Sequence, residues 1–317
     1  MREGQFIKRN IRRWKNYQEQ SEDPDEVASR FMHLVDDLSY AKTFYPFSNT
    51  VRYINGLAAR IFLSIYRNKK EERNRIYQFL AIDLPLTVQK HHRTLLFTFA
   101  FFAICIAIGV FSAIQDQTFV RAVLGDDYVD MTERNIANGD PFGVYKDQNE
   151  FFMFVRIAFN NIMVAFRCFV LGIFFGIGTM YVLFQNGLMI GVFEYMFFAK
   201  GLGLESILVI FIHGTLEISA IVIAGSAGII LGKSILFPGT YTRLQSLNKG
   251  ARDAVKIVVT LVPIFIIAAI FEGYVTRHTD MPIWVSLSIL LGSLGFILWY
   301  FVFHPIKVAN HKKNETL

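Results

Sequence analysis

His213 and Glu217 stand four residues apart inside an apolar run, residues 206–232, that is long enough to cross a bilayer as one helix. That spacing puts an imidazole and a carboxylate on one helical face. In hydrocarbon each charge costs roughly 3 kcal/mol on insertion scales, so the pair must face protein or water. Two chemistries are open to it: proton or cation binding, and metal ligation through one nitrogen and one oxygen. The two-histidine helical pattern of zinc peptidases is absent. Neither Ser219 nor Ser226 has a clear base near it in sequence, which argues against a serine nucleophile. Phosphate-loop and dinucleotide fingerprints are missing too. The glycines lie in apolar helices, where close packing explains them better.

The elements that must position this pair are membrane spans. The chain has 317 residues, 53% of them hydrophobic and 32 of them Phe, above the roughly 45–50% apolar content of soluble domains. The excess is concentrated in long runs, the pattern of a polytopic membrane protein. No cleaved signal peptide is expected, because no short apolar core with a small-residue cleavage site opens the chain. Cys105 and Cys168 both fall in apolar runs, which argues against a disulfide framework or a cysteine-built metal site.

Residues 1–93 hold 17 Lys/Arg against 11 Asp/Glu, while the rest of the chain is balanced at 15 and 15, so this segment carries the whole net charge of +6. Residues 2–20 read as a basic amphipathic helix, with Ile7, Ile11 and Trp14 opposite Lys8, Arg9, Arg12, Arg13 and Lys15. Two placements are open: on an anionic leaflet, or packed on a small domain. Asp23-Pro24-Asp25-Glu26 is a helix start, Tyr45-Pro46 a stop, and Ser48 or Asn49 the next cap. A third helical piece is expected over 71–82. The expectation is a small helical domain, cytoplasmic, over 1–93.

The first span is read at 95–113, followed by an external polar loop at 116–150. The second span is expected at 158–184, ending at the turn signal Gln185-Asn186-Gly187. Residues 187–199 follow as a short crossing, then 206–232, 257–275 and 283–303. The basic loop 233–256 and the tail 305–317 are placed inside by the lysine/arginine bias of short flanks. The fold class is therefore all-α: a transmembrane bundle of about six spans over 94–304 with both termini cytoplasmic.

With that topology, at about 1.5 Å per residue, His213 lies roughly 10 Å below the outer end of its helix and Glu217 one turn deeper. Glu272, Glu194, Asn160, Asn161 and Arg167 arrive at comparable depth from other spans. His213, Glu217 and Glu272 are expected to meet around one site. Such a cluster reads either as a buried network holding the bundle together or as a cavity for a proton, cation or headgroup. Whether it takes a metal is left open. Gly172-x-x-x-Gly176, Gly187-x-x-x-Gly191 and Gly228-x-x-x-Gly232, with Gly214, supply helix-packing faces, more than one bundle obviously needs, which suggests self-association.

These segments carry a family resemblance. Asn160-Asn161, the Gly172/Gly176/Thr179 helix, Asn186-Gly187, His213-Gly214-x-x-Glu217, Ala224-Gly225, Gly228, Pro238-Gly239 and Phe271-Glu272-Gly273 together resemble the stage II sporulation protein M family over roughly 95–275. The resemblance implies that His213, Glu217 and Glu272 belong to a shared intramembrane core. It also implies a membrane scaffold working with partner proteins that degrade peptidoglycan, with residues 1–93 as an addition to the sporulation form. The expected function is thus a non-enzymatic scaffold of an envelope assembly in the bacterial inner membrane. Its partners would be the lipid bilayer and other envelope proteins, with no cofactor and no nucleic acid. The alternatives are a transporter using the His/Glu cluster and an intramembrane metal-dependent hydrolase.

Overall fold

The computed structural model describes residues 1–19, 21, 23–67, 75–143, 150–276 and 281–315, which are mostly helix and include no strand. Residues 144–149 of the polar loop and the start of the helix expected at 71–82 lie outside the described residues. The chain divides into two compact units, Met1–Arg75 and Ile76–Leu317.

The first unit is built from α1 (Glu3–Asn16), α2 (Pro24–Phe44) and α3 (Asn49–Arg67). The Asp23 side chain accepts the Asp25 N–H at 3.0 Å and starts α2. Glu26 does not close a reciprocal capping bond; it accepts instead from Ser21 and Arg30. Ser48 accepts the Thr50 N–H and donates to Glu3, which ties the start of α3 to α1. Phe6 and Trp14 are buried against Leu34, Ala41, Ile54 and Leu57, with Ile7 and Ile11 packed on the same core. The apolar face of α1 is therefore used inside this unit, where each such side chain contributes about 1.5–3 kcal/mol. Of the two placements open to it, packing on a domain is the observed one.

The second unit begins with a single turn, α4 (Arg75–Gln78), a π-helical turn at Phe79–Asp83, and α5 (Leu84–Lys90). Six long apolar helices follow among the described residues, each long enough to span a membrane. These are α6 (His92–Gln115), α9 (Glu150–Val170, with its turn to Ile173), α10 (Ile177–Ala199) and α11 (Gly203–Leu236). The fifth is α12 (Arg243–Ile270) with a π-helical turn at Phe271–Val275, and the sixth joins α13 (Ile283–Leu298) to α14 (His304–Glu315). The polar segment between α6 and α9 forms α7 (Gln117–Leu124) and α8 (Asp126–Ala137).

Helix α11 is the centre. Of its most apolar stretch 56% is buried, against 22% for α6, as its small residues predict. A Cβ on Gly172 would lie 2.1 Å from the Gly228 carbonyl oxygen, and one on Gly232 would lie 2.3 Å from the Gly176 nitrogen. Backbones this close exclude any side chain at these positions.

The second and third spans differ from the sequence reading. The reversal is not at Gln185-Asn186-Gly187 but at Leu171–Gly176, where Phe175 has φ 55° and Gly176 φ 83°. Gly176 is the residue that makes this left-handed corner cheap. The polar pair that looked like a turn is satisfied within α10: Asn186 donates to the Val182 carbonyl and Gln185 to the Tyr181 hydroxyl. Gly187 is small because it presses on Cys105 and Phe102 of α6. Gly172 and Gly176 thus form this corner and at the same time press on Gly228 and Gly232 of α11. Helix α10 has 23 residues, about 34 Å of rise, long enough to cross a bilayer fully.

Candidate functional site

Alignment of the helices sets the site. Helices α11 and α12 are antiparallel neighbours, with Gly250 against Ser234 at one end and Thr276 bonded to His213 toward the other. The i, i+4 spacing then points His213 and Glu217 toward α12. The π-helical turn after α12 widens the helix by one residue, and Glu272 lies within that turn. Such turns recur where a side chain is re-aimed for function.

One ligand atom each from His213, Glu217 and Glu272 lies within 4.8 Å of the others. His213 Nε2 stands 3.8 Å from a Glu272 oxygen, and both side chains are largely buried. On its other edge, His213 Nδ1 is 3.1 Å from the Thr276 hydroxyl, which donates to the Phe271 carbonyl. A hydroxyl has one proton, so Thr276 accepts from Nδ1–H and leaves Nε2 facing Glu272. Asn161 of α9 interacts with the Glu217 carboxylate, and Asn160 donates to the Asn161 side-chain oxygen at 3.2 Å.

The three residues line a cavity of about 830 Å³ bounded by α7, α8, α9, α10 and α11. It runs from Ile210 to Ile221, about 17 Å along α11. Asn160, Asn161 and Arg167 line it as well, so six of the seven residues singled out from sequence share one space. Glu194 is the exception: it accepts from Ser206 where α10 turns into α11. Gly214 also faces the cavity. A Cβ there would meet only Ile218 and Ile210 of its own helix, so it leaves room in the wall rather than packing a neighbour.

The sequence reading missed Arg156, Asn186, Tyr128 and Thr276. Asn186 was masked by its turn-like context, and Arg156 by its place near the membrane edge. Thr276 gave one signal only, its position a turn beyond Glu272. Tyr128 arrives from the polar segment, where burial pushes its hydroxyl up to about 12. At neutral pH it is an uncharged cap on the cavity.

Among the described residues, neither Arg156 nor Arg167 pairs with the two glutamates within 4.0 Å. The Ser226 hydroxyl donates to the Ile223 carbonyl within α11 and does not reach the cavity. Among the described residues the lining therefore offers acid–base and ligating groups but no nucleophilic hydroxyl or thiol from Ser or Cys.

Two family models match the chain. One, described as stage II sporulation protein M, covers residues 98–277; the other, described as a domain of unknown function (DUF8413), covers residues 4–67. No curated protein and no solved structure matches it. The first match takes in every residue of the His/Glu cluster and most of the cavity wall.

Proposed function

We propose, from the premise that the chain belongs to the stage II sporulation protein M family, a family of non-catalytic membrane proteins, that it is a scaffold of an envelope-remodelling assembly. The observation that carries this reading is the family match over residues 98–277, which takes in the central helix α11. Several features support it. The centre of the molecule is held by backbone-to-backbone glycine contacts, which suit a fixed platform better than a moving one. The outer faces of the spans are apolar and open, available to lipid and to other membrane proteins. Family membership and the multi-pass bundle support a bacterial inner-membrane location.

In this reading both termini are cytoplasmic, the segment 116–150 is external, and residues 1–93 form a cytoplasmic module that binds a partner. Other envelope proteins, including ones acting on peptidoglycan, are the partners proposed. Any self-association uses the open outer faces, because Gly187, Gly191, Gly228 and Gly232 already pack within one chain. Depletion in the native cell tests the role. A scaffold gives an envelope defect that Glu217→Gln and Glu272→Gln variants still rescue. Rescue lost in folded, membrane-inserted variants would count against it.

A transporter is the second reading, favoured by the cavity with Glu217 and Glu272 in its wall. Proteoliposomes separate the two. The scaffold gives proton and cation flux no greater than empty vesicles, whereas a transporter gives flux that Glu217→Gln abolishes.

A further inference from the structure

We propose that His213, Glu217 and Glu272 form a resident binding site for one divalent cation of the zinc class, with its open coordination position facing the cavity. The gap of 3.8 Å between His213 Nε2 and Glu272 is about 1 Å too long for a hydrogen bond. It is close to the roughly 3.4 Å edge of a tetrahedral site with bonds of about 2.1 Å. Drawing the three ligand atoms in from at most 4.8 Å to that edge shortens a separation by no more than about 1.4 Å, within the reach of side-chain adjustment.

Charge points the same way. Two glutamates sit together among membrane-length helices, and among the described residues no arginine comes within 4.0 Å of either, although Arg156 and Arg167 line the same cavity. A divalent ion between them balances both carboxylates and removes their mutual repulsion. The donor set, one imidazole nitrogen and two carboxylate oxygens, suits zinc, and also manganese and iron.

The surroundings are those a ligand set requires. A metal-binding histidine has its other ring nitrogen fixed by an acceptor so that the correct lone pair faces the ion. Thr276 does this for His213, and Thr276 is itself anchored on the Phe271 carbonyl. The ligands come from rigid elements: a helical i, i+4 pair on the central helix and the π-helical turn beside it. Three protein ligands with an open side on a cavity leave one position for water or an exogenous group. The site stands apart from the scaffold reading: a bound ion would fix α11 against α12 whatever the partners are.

The test uses the full chain in mild detergent, stripped with chelator and reloaded with Zn²⁺ or Co²⁺ alone. Bound metal is counted after desalting, and the Co²⁺ form is examined for the intense visible bands of tetrahedral coordination. Wild type and the Glu194→Gln control are expected to retain about one ion per chain, and His213→Gln and Glu272→Gln to bind at least about tenfold more weakly. Zn²⁺ is also expected to raise the Tm of wild type, and chelator to reverse it, a measurement that depends on no variant. Folded wild type that retains no ion and shows no shift overturns the proposal. So does equal retention in wild type and the ligand variants.

Discussion

At the residue scale, the cluster depends on partners that lie far apart in sequence. His213 and Glu272 are brought to 3.8 Å by antiparallel helices, so their contributions to stability are coupled. A cycle of His213→Gln, Glu272→Gln and the double variant is expected to give a coupling of about 0.5–3 kcal/mol in reversible unfolding in detergent. Strict additivity would show that the two do not share a network. A second residue-scale prediction concerns Glu3. The Ser48 and Thr50 hydroxyls hold its carboxyl below the usual carboxylate value. Its stabilising effect is therefore present above pH about 4.5 and is lost as pH falls through the folded value. Trp14, buried on the same core, reports docking of α1 in a Trp284→Phe, Trp299→Phe background. The difference between Glu3→Gln and the parent should be largest at neutral pH and vanish in acid. A difference independent of pH would contradict the assignment. The ligating types and the i, i+4 spacing of His213 and Glu217 were legible in sequence because helical periodicity is local. Thr276 and Asn186 were not, since their roles exist only once helices pack.

At the element scale, glycine decides how closely α11 is approached. A methyl group at Gly172 would fall 2.1 Å from a backbone oxygen of α11, and backbone cannot step aside as a side chain can. Gly172→Ala is therefore expected to cost about 1–3 kcal/mol as overpacking. Gly292 has nothing within 4 Å of such a methyl, so Gly292→Ala is expected to be neutral or to stabilise by up to about 1 kcal/mol. Thermal unfolding of both variants checks the contrast, and equal effects would refute the packing account. The number of spans was legible, because apolar length alone sets it. The corner between the second and third was not. Asn186-Gly187 has turn composition, yet the chain reverses within Leu171–Gly176, a stretch with almost no polar residue. In a membrane bundle glycine marks close approach as often as it marks a turn, and local composition cannot separate the two uses. Gly172 and Gly176 serve both uses, since they make the corner and press on α11.

At the scale of the whole molecule, the asymmetry of charge predicts how the bundle is oriented. The basic excess before residue 93 and the acidic character of 116–150 predict opposite sides of the membrane. A cysteine reporter at Asn138 should be labelled from outside sealed cells, in a background without Cys105 and Cys168, and one at Asn248 should not. Labelling of Asn248 from outside would overturn the orientation. Family and fold class were legible at this scale because motif spacing and apolar length survive without coordinates; partners were not, since the outer faces of the spans are ordinary apolar surface that names no partner. The central claim is the scaffold role, and site-specific photo-crosslinking in living cells tests it most directly. Photoreactive residues would be placed on the outer faces of α6 and α13 and on the exposed basic side of α1. The account predicts discrete crosslinks to envelope proteins acting on peptidoglycan, unchanged in the Glu217→Gln, Glu272→Gln double variant. A folded, membrane-inserted chain that crosslinks to no such protein from any of these faces would contradict it.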